Sequence, residues 1–234
     1  MVERKDIVTI DGPSGAGKST ISKLLAAELH YTYLDTGAMY RVVGLQVERS
    51  GFDLEAENGR EKLVQLLATL EMTMAPGEEG QETRVFLHGE DVSDAIRTPE
   101  MAMVASRVSA EPEVRKKLTE MQRAIGQNGA IVAEGRDMGT IVFPDAKHKF
   151  FLDATPRERA LRRQKQLLEK GQKVQYEELL TQIRKRDRDD SSRSLAPLKP
   201  AADAIIIDSS EMNIDEVVSF MLEAVTKNNR LSTP

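Results

Sequence analysis

Short, continuously apolar segments alternate with longer segments of helical character along this chain. The apolar runs cover residues 6–11, 130–133, 149–152 and 204–207, and a weaker run covers Tyr31–Leu34. Strands that are apolar at successive positions are buried on both faces, so the first four runs predict central strands of a sheet. Their alternation with helices predicts an α/β fold with a parallel sheet and helices on both of its faces.

The residues at helix ends predict where several helices begin. Thr155 has the side chain of an N-cap, Pro156 suits the first helical position, and Glu158 completes a capping box. Asn213 and Glu216 have the same spacing before the last helical segment. We therefore expect reciprocal side-chain caps at both helix starts.

One region interrupts the alternation. Residues 72–74 and 84–88 are short strand candidates on either side of a turn at 76–80, and Thr98 with Pro99 predicts the next helix start. This pattern is typical of an antiparallel excursion. We interpret residues 1–234 as a single domain that carries a small antiparallel insertion at about 68–108.

A glycine-rich loop separates the first apolar run from a helix predicted over residues 19–29. The pattern Gly-x-x-x-x-Gly-Lys-Ser lets backbone N–H groups and the helix start point at phosphate oxygens. Lys18 is expected at the β/γ-phosphates and Ser19 at a Mg²⁺ ion. The loop thus predicts a P-loop nucleotide site formed by Gly12, Pro13, Ser14, Gly15, Ala16, Gly17, Lys18 and Ser19.

Composition narrows the class of protein. The chain has 234 residues, a net charge of −5 and no cysteine, which excludes disulfides and thiolate metal sites. The negative charge argues against general affinity for nucleic acid, and the N-terminus has no signal-peptide pattern. We expect a cytoplasmic monomer that binds small molecules and neither nucleic acid nor membranes.

Two polar clusters follow predicted strands. Residues 35–41 (Asp-Thr-Gly-Ala-Met-Tyr-Arg) follow the second strand, and residues 134–137 (Glu-Gly-Arg-Asp) follow the third. Ligands of α/β proteins bind where strands end, so both clusters are expected near the phosphate loop. The first is equally consistent with a helix cap beside a surface arginine. In the second, Gly135 is expected to take an unusual backbone conformation that turns Arg136 and Asp137 towards the ligand.

An arginine-rich segment at about 157–193 has a surplus of positive charge. Arg159 and Arg163 lie one helical turn apart and are expected to share a face, and Arg186 lies among acidic residues further along. A solvated helical hairpin would explain such charges. The preference for arginine over lysine favours a lid that closes over the phosphates, because one guanidinium group can donate two hydrogen bonds to the oxygens of a phosphate.

Taken together, the motifs resemble those of bacterial cytidylate kinases, members of the P-loop nucleoside monophosphate kinases. The resemblance runs in order along nearly the whole chain, and the 68–108 excursion is similar to that family's long insertion. It rests on Gly-Pro-Ser-Gly-Ala-Gly-Lys-Ser at 12–19, Leu-Asp-Thr-Gly-Ala-Met-Tyr-Arg at 34–41, Gly-Glu-Asp-Val-Ser at 89–93, Gly-Arg-Asp-Met-Gly-Thr at 135–140, Phe-Pro-Asp-Ala at 143–146 and Leu-Ala-Pro-Leu at 195–198.

The resemblance implies a single kinase domain that transfers the γ-phosphoryl group of ATP to CMP, and to dCMP, with Mg²⁺ bound. It implies that Thr20 joins Gly15, Gly17, Lys18 and Ser19 in holding the ATP phosphates and Mg²⁺. With the arginine-rich segment included, we expect catalytic roles for Lys18, Arg136, Arg159, Arg163 and Arg186. It implies acceptor binding by Thr36, Arg41, Ser106, Arg115, Arg136, Asp137, Arg186, Asp190 and Arg193, of which Ser106, Arg115 and Asp137 match the cytosine readers. Asp11 and Glu134 both remain candidates for holding Mg²⁺ through water.

Other functions stay open at this stage. A guanine-nucleotide switch requires Asn-Lys-x-Asp, and no asparagine of this chain precedes lysine. A motor-type ATPase requires a carboxylate after an apolar strand, which residues 204–208 offer superficially, although only a short terminal helix follows. A kinase acting on UMP, AMP or dephospho-coenzyme A is the nearest alternative.

Overall fold

The computed structural model describes residues 6–75, 77, 83–169 and 171–230. In these residues the strands are β1 Ile7–Asp11, β2 Thr32–Asp35, β3 Met72–Ala75, β4 Arg84–Leu87, β5 Glu90–Asp91, β6 Ile131–Gly135, β7 His148–Asp153 and β8 Ile205–Asp208. The α-helices are α1 Lys18–Leu29, α2 Thr36–Ser50, α3 Gly59–Ala68, α4 Pro99–Val108, α5 Pro112–Ile125, α6 Pro156–Glu169, α7 Tyr176–Ser192 and α8 Ile214–Arg230. A π-helical turn spans Met138–Val142, and short 3₁₀ turns span Ala95–Arg97 and Gly126–Asn128.

Five strands form the main sheet in the order β2-β6-β1-β7-β8. β1 pairs in parallel with β6, Ile7 opposite Ile131, and with β7, Val8 opposite His148. β7 pairs in parallel with β8. The predicted P-loop type of α/β fold is confirmed, and β1, β6 and β7 are central as expected.

The core lies between the central strands and two helices. Val8 and Ile10 of β1 and Phe150 of β7 pack with Leu25 of α1 and Met221 of α8, and all five are buried. Every residue of β6 is buried as well. The core therefore fixes β1 and the start of α1, between which the phosphate loop lies.

The prediction that residues 204–207 form a central strand is wrong. Within the described part of the chain, β8 is at the edge of the sheet and pairs with β7 alone. Ile205 is 37% exposed and Ile206 is 64% exposed. A short apolar run does not reveal how many neighbours a strand has, because that depends on the order of strands in the sheet.

The predicted helix caps are confirmed at one site and half-confirmed at the other. Asn213 and Glu216 each accept from the other's backbone N–H at 2.9 Å. Thr155 Oγ1 accepts from the Glu158 N–H at 3.2 Å, but the Glu158 carboxylate pairs with Arg162. The Thr155 N–H donates instead to Ser210 Oγ at 3.0 Å, which replaces the second half of the capping box.

The chain divides into two compact units. One comprises the residues up to Leu34 and from Gly126 onwards, and the other is Asp35–Ile125. We call them the sheet unit and the helical unit. The helical unit takes in more of the chain than the expected insertion at 68–108, and the assignment of one kinase domain with that insertion stays a prediction.

The antiparallel excursion is confirmed inside the helical unit. β3 pairs with β4, Met72 opposite Leu87, and β4 pairs with β5, Phe86 opposite Asp91. The turn expected at 76–80 lies, apart from residue 77, outside the described residues. In the same unit α2 packs against α3, α4 and α5.

The arginine-rich segment forms the helices α6 and α7 of the sheet unit. They pack on each other through a small apolar cluster that includes Ala160, Leu167, Leu179 and Leu180. The charged side chains of both helices therefore surround a core of their own. The role of this pair as a lid stays a prediction.

Candidate active site

The phosphate loop connects β1 to α1 as its sequence predicts. Gly12 has φ 151°, and a Cβ atom there would lie 2.0 Å from the carbonyl oxygen of Leu152, so only glycine fits. Gly17 has φ 94° and is the N-cap of α1. Lys18 is buried, and its Nζ donates to the Pro13 carbonyl at 2.7 Å. The loop thus folds around the lysine ammonium group.

Lys18 lies in a positively charged cluster with Arg136 and Arg186. Burial, and then the nearby Arg136 guanidinium, lower the pKa of Lys18 from 10.5 to about 7. Arg186 lowers this pKa further, whereas Glu134 and Asp11 raise it. Three cations gathered at the start of a helix repel one another, and a polyphosphate would relieve that repulsion. We call these three residues the cation cluster.

Asp190, near the end of α7, holds two of the predicted acceptor-binding arginines. Its Oδ2 accepts from Arg136 Nε at 2.9 Å, and its Oδ1 accepts from Arg193 Nη2 at 2.7 Å. Burial raises the pKa of Asp190, but Arg136, Arg193 and Arg186 outweigh burial and leave it below its ordinary value. Asp190 is thus an ionised anchor that orients guanidinium groups at the cation cluster.

Ser14 of the phosphate loop is held by two arginines of α6 and α7. Arg186 Nη1 donates to Ser14 Oγ at 3.2 Å, and Arg159 Nη1 donates to the Ser14 carbonyl at 3.0 Å. Arg159 is buried and also donates to the carbonyl of Ala154 and to the Asp187 carboxylate. The guanidinium of Arg159 therefore binds protein groups in this structure, and its predicted phosphate contact stays a prediction. Arg163 is half-buried on the same helix.

The segment after β6 differs from the expectation. Gly135 ends the strand and is not among the glycines with positive φ, so its predicted unusual conformation is wrong. The backbone changes direction at Asp137 instead, with φ −147° and ψ 23°, and the π-helical turn Met138–Val142 follows. Gly135 remains in the strand because its partner Asp11 keeps it in register. Asp137 itself is buried.

The donors near the phosphate loop fit a magnesium ion that arrives with a nucleotide. Ser19 and Thr20 are exposed in the first turn of α1, while Glu134 is buried and accepts from the Tyr33 hydroxyl. Within the described ranges, no group of three His, Cys, Asp or Glu side chains could bind a metal ion alone. Mg²⁺ commonly takes one or two protein oxygens and completes its coordination with phosphates and water. Ser19 and Glu134 are suitable donors for that arrangement.

The helical unit carries the other predicted acceptor residues. Thr36 is buried at the start of α2, whose N-cap Asp35 accepts from the Ala38 N–H at 2.9 Å. Arg41 lies on the first turns of this helix, with Nη2 3.8 Å from where a Cβ of Gly37 would be. Asp35 is therefore a helix cap, which is one of the two interpretations of residues 35–41 given above. Its hydrogen bond orients the segment that bears Thr36 and Arg41.

Ser106 and Arg115 lie on α4 and α5, two of the helices that pack against α2. Ser106 is on α4, and its carbonyl accepts from Ser109 Oγ at 2.8 Å. Arg115, on α5, is buried; its Nη1 donates to the Ser109 carbonyl at 3.1 Å, and its guanidinium lies 5.7 Å from the Tyr40 ring centroid. These contacts fix a buried guanidinium at the connection between α4 and α5.

Comparison with known proteins identifies the family. The sequence model of cytidylate kinase matches residues 8–227. The cytidylate kinase of Carboxydothermus hydrogenoformans is 47% identical over 95% of this chain and 98% of its own length. That of Aliivibrio salmonicida is 49% identical over 94% and 96%. The chain belongs to the cytidylate kinase family. It is therefore a nucleoside monophosphate kinase, a phosphotransferase.

The solved structures that resemble this member of the family support its fold alone. The shikimate kinase of Bacteroides thetaiotaomicron has a TM-score of 0.50 at 16% identity, covering 94% of this chain and 98% of the other. An uncharacterized protein from Eubacterium ventriosum has the same TM-score at 13% identity, covering 95% and 99%. None of the helices in the described residues has the length and apolar character that a membrane span requires.

The structure groups the predicted site residues in two sets. The sheet unit holds Lys18, Arg136, Asp137, Arg186, Asp190 and Arg193 together with the phosphate loop, and the helical unit holds Thr36, Arg41, Ser106 and Arg115. Sequence reasoning missed the structural roles of Asp11, Ser14 and Asp187. The sequence does show a carboxylate at the end of β1 and acidic residues between the arginines of α7, but it does not show which groups these carboxylates bind.

Proposed function

We propose that this cytidylate kinase family member transfers the γ-phosphoryl group of ATP to CMP, and also to dCMP, giving the diphosphate and ADP. The observation that supports the proposal best is the cation cluster. Burial lowers the pKa of Lys18 to about 7, and the nearby guanidinium groups of Arg136 and Arg186 contribute to that decrease. Such a cluster is suited to a phosphoryl group whose negative charge is spread over several oxygens.

In this proposal the phosphate loop binds ATP. The backbone N–H groups of residues 12–17 surround its phosphates, Lys18 contacts the β/γ-phosphates, and Ser19 and Thr20 take up the remaining oxygens. Ser19 Oγ, with Glu134 through water, would hold Mg²⁺. The bound ion would neutralise charge on the β- and γ-phosphates. Asp11 is a poorer candidate than Glu134, because both of its oxygens already accept backbone N–H groups.

The acceptor nucleotide would be bound by the residues that match the family's acceptor-binding positions. Arg41, Arg136 and Arg186 would bind its phosphate, and Thr36, Asp190 and Arg193 would lie near its ribose and phosphate. Asp137, Ser106 and Arg115 would read the base, since a carboxylate and a hydroxyl accept from the exocyclic amine while an arginine donates to the O2/N3 edge. The burial of Asp137 and Arg115 supports this assignment, because buried polar groups discriminate strongly against a wrong partner.

Phosphoryl transfer of this kind depends on position and charge. The transition state is loose, so aligned nucleotides and neutralised oxygens suffice and no strong base is required. Arg163 would add positive charge from α6, and Arg159 would act on the phosphate chain or through Ser14. Closure of α6 and α7 over ATP would exclude water and suppress hydrolysis.

Turnover of the purified protein tests the proposal. With ATP and Mg²⁺, and CMP, dCMP, UMP, AMP or dephospho-coenzyme A as acceptor, we expect CDP and dCDP to form fastest. A different preferred acceptor would indicate another small-molecule kinase. ATP hydrolysis without acceptor would indicate a motor-type ATPase, and GTP binding without transfer would indicate a switch. Cytoplasmic location and the monomeric state stay predictions, which fractionation and analytical ultracentrifugation would test.

A further inference from the structure

Asp11 is the last residue of β1, and it links this strand to the segment that follows β6. The residue is 3% exposed. Its two oxygens accept separate backbone hydrogen bonds, Oδ1 from the Met138 N–H and Oδ2 from the Gly139 N–H, both at 2.8 Å. These are the first two N–H groups of the π-helical turn. A single carboxylate thus satisfies two donors that the turn itself leaves unpaired.

The same turn is closed by the residue before it. The N–H groups of Ile141 and Val142 both donate to the Asp137 carbonyl, at 2.9 and 3.1 Å. Asp137 therefore lies between two fixed points, because its carbonyl holds the end of the turn and its neighbour Met138 is held by Asp11. Its backbone conformation, and with it the direction of its side chain, depends on both.

We propose that Asp11 is a positioning residue for base selection, which fixes the peptide segment that carries Asp137. The inference rests on the proposed function, in which Asp137 reads the cytosine amine. Asp11 has no contact with substrate in this role. It acts by holding the N–H groups of Met138 and Gly139, so that the Asp137 carboxylate meets the base in one orientation.

The packing around the turn leaves little room for another arrangement. A Cβ atom on Gly139 would lie 3.0 Å from Thr9 Oγ1, 3.3 Å from Lys149 Cδ and 3.4 Å from Asp11 Oδ2. The turn therefore lies directly against β1 and β7. Thr9 precedes Asp11 by two residues on the same face of β1, and its buried hydroxyl has no hydrogen-bond partner among the residues that the structure describes.

The charges near Asp11 are consistent with this role. The pKa of Asp11 is raised to about 6, chiefly by burial and to a smaller extent by the Asp137 carboxylate. The N–H groups of Gly139 and Met138, and the Lys18 charge, oppose this increase. At neutral pH the carboxylate is therefore mostly ionised and offers two acceptor oxygens. Asp11 is thus near enough to both Lys18 and Asp137 for their charges to affect its pKa.

The substitution Asp11→Asn tests the inference, because it keeps the shape but turns an amide donor towards one of the two N–H groups. We expect kcat/KM for CMP to fall by roughly tenfold or more, and the ratio of kcat/KM for CMP to that for UMP to fall by roughly fivefold or more. The KM for ATP should change by less than about threefold. A variant that was only less stable would lose activity with both acceptors equally.

Thr9→Val is the matched control. It removes a buried hydroxyl from the same strand face without breaking a hydrogen bond, and the CMP to UMP ratio should stay at the wild-type value. If Asp11→Asn cannot be purified, Gly139→Ala provides the second test, since its Cβ displaces the turn from Thr9 and Asp11. If the purified variant keeps the wild-type ratio of kcat/KM for CMP to that for UMP, the inference is overturned. CDP formation by the wild type would still leave the proposed function intact. Failure of the wild type itself to form CDP would refute the proposed function instead.

Discussion

Arg159 and Asp187 form a two-bond ion pair between α6 and α7, with Nη1–Oδ1 at 2.9 Å and Nη2–Oδ2 at 2.6 Å. The side chain of Arg159 is 3% exposed and that of Asp187 is 24% exposed. Because Arg159 also donates to the Ser14 carbonyl, this pair connects the arginine-rich helices to the phosphate loop. The positive charge of α6 is thus partly used to organise the site.

Asp187→Ala should destabilise the protein markedly. It leaves the buried Arg159 guanidinium without its charge partner, which costs about 3 kcal/mol of unfolding free energy. Urea unfolding followed by circular dichroism measures the change. Glu223→Ala is the matched control, since its pair with Lys227 on α8 is exposed and should contribute less than about 1 kcal/mol. Equal losses in the two variants would show that the Arg159–Asp187 pair does not stabilise the helices.

Lys18→Met should abolish turnover and yet raise the Tm of the nucleotide-free protein, by roughly 2–4 °C. The substitution removes a buried charge that Arg136 and Arg186 repel. Lys62→Met, at an exposed position of α3, is the control and should leave both properties unchanged.

The stability gain of Lys18→Met should depend on pH in a defined direction. The folded-state pKa of Lys18, about 7, lies below its ordinary value of 10.5, so the unfolded chain binds more protons between these values. Wild-type stability therefore rises with pH across this range as the lysine loses its proton. The difference in Tm between variant and wild type should be largest below pH 7 and shrink above it. A difference that grows with pH would contradict the assignment.

Asp137→Ala should lower kcat/KM for CMP by roughly tenfold or more and leave ATP affinity unchanged. The reason is that the substitution removes the hydrogen-bond acceptor for the cytosine amine. Uracil has a carbonyl at that position, so kcat/KM for UMP should fall less. Steady-state kinetics with both acceptors, combined with calorimetric titration of ATP, separates the effects. An unchanged rate with CMP would remove Asp137 from the site.

Gly44→Val should raise the KM for CMP and destabilise the protein by about 1–3 kcal/mol. A Cβ atom at Gly44 of α2 would lie 3.0 Å from Val104 Cγ1 and 3.3 Å from Met101 Sδ, so the larger side chain pushes α2 from α4. Those helices carry Arg41 and Ser106. Glu48→Val, exposed on α2, supplies the same β-branched residue without the contact. If the KM for CMP increased equally in both variants, the cause would be the lower helix propensity of valine and not the spacing between α2 and α4.

The features that sequence predicted well are those set by neighbouring residues. The phosphate loop, the strand before it and the cap of α8 are each determined within a few positions of Gly12 or Asn213. β8 was misplaced because edge and central strands differ in their neighbours in space. For the same reason the sequence placed an unusual conformation at Gly135, whereas pairing with β1 keeps that residue extended.

The sequence predicts which types of residue form the candidate site, but it does not predict which side chains pair with one another. Arginines spaced along α6 and α7 indicate phosphate binding, but only the folded chain shows that Arg159 is paired with Asp187 and that Arg136 is paired with Asp190. The sequence makes Asp11 a candidate for holding Mg²⁺, whereas its oxygens accept from residues more than a hundred positions away. Such long-range pairings depend on the order of strands, which local patterns do not contain.

The kcat of CDP formation at saturating ATP and CMP, measured for Arg136→Met and Arg186→Met, tests the role of the cation cluster most directly. If these guanidinium groups stabilise the phosphoryl group during transfer, kcat should fall by roughly a hundredfold or more in each variant, while ATP affinity stays within about threefold of wild type. A kcat close to the wild-type value in both variants would contradict the account.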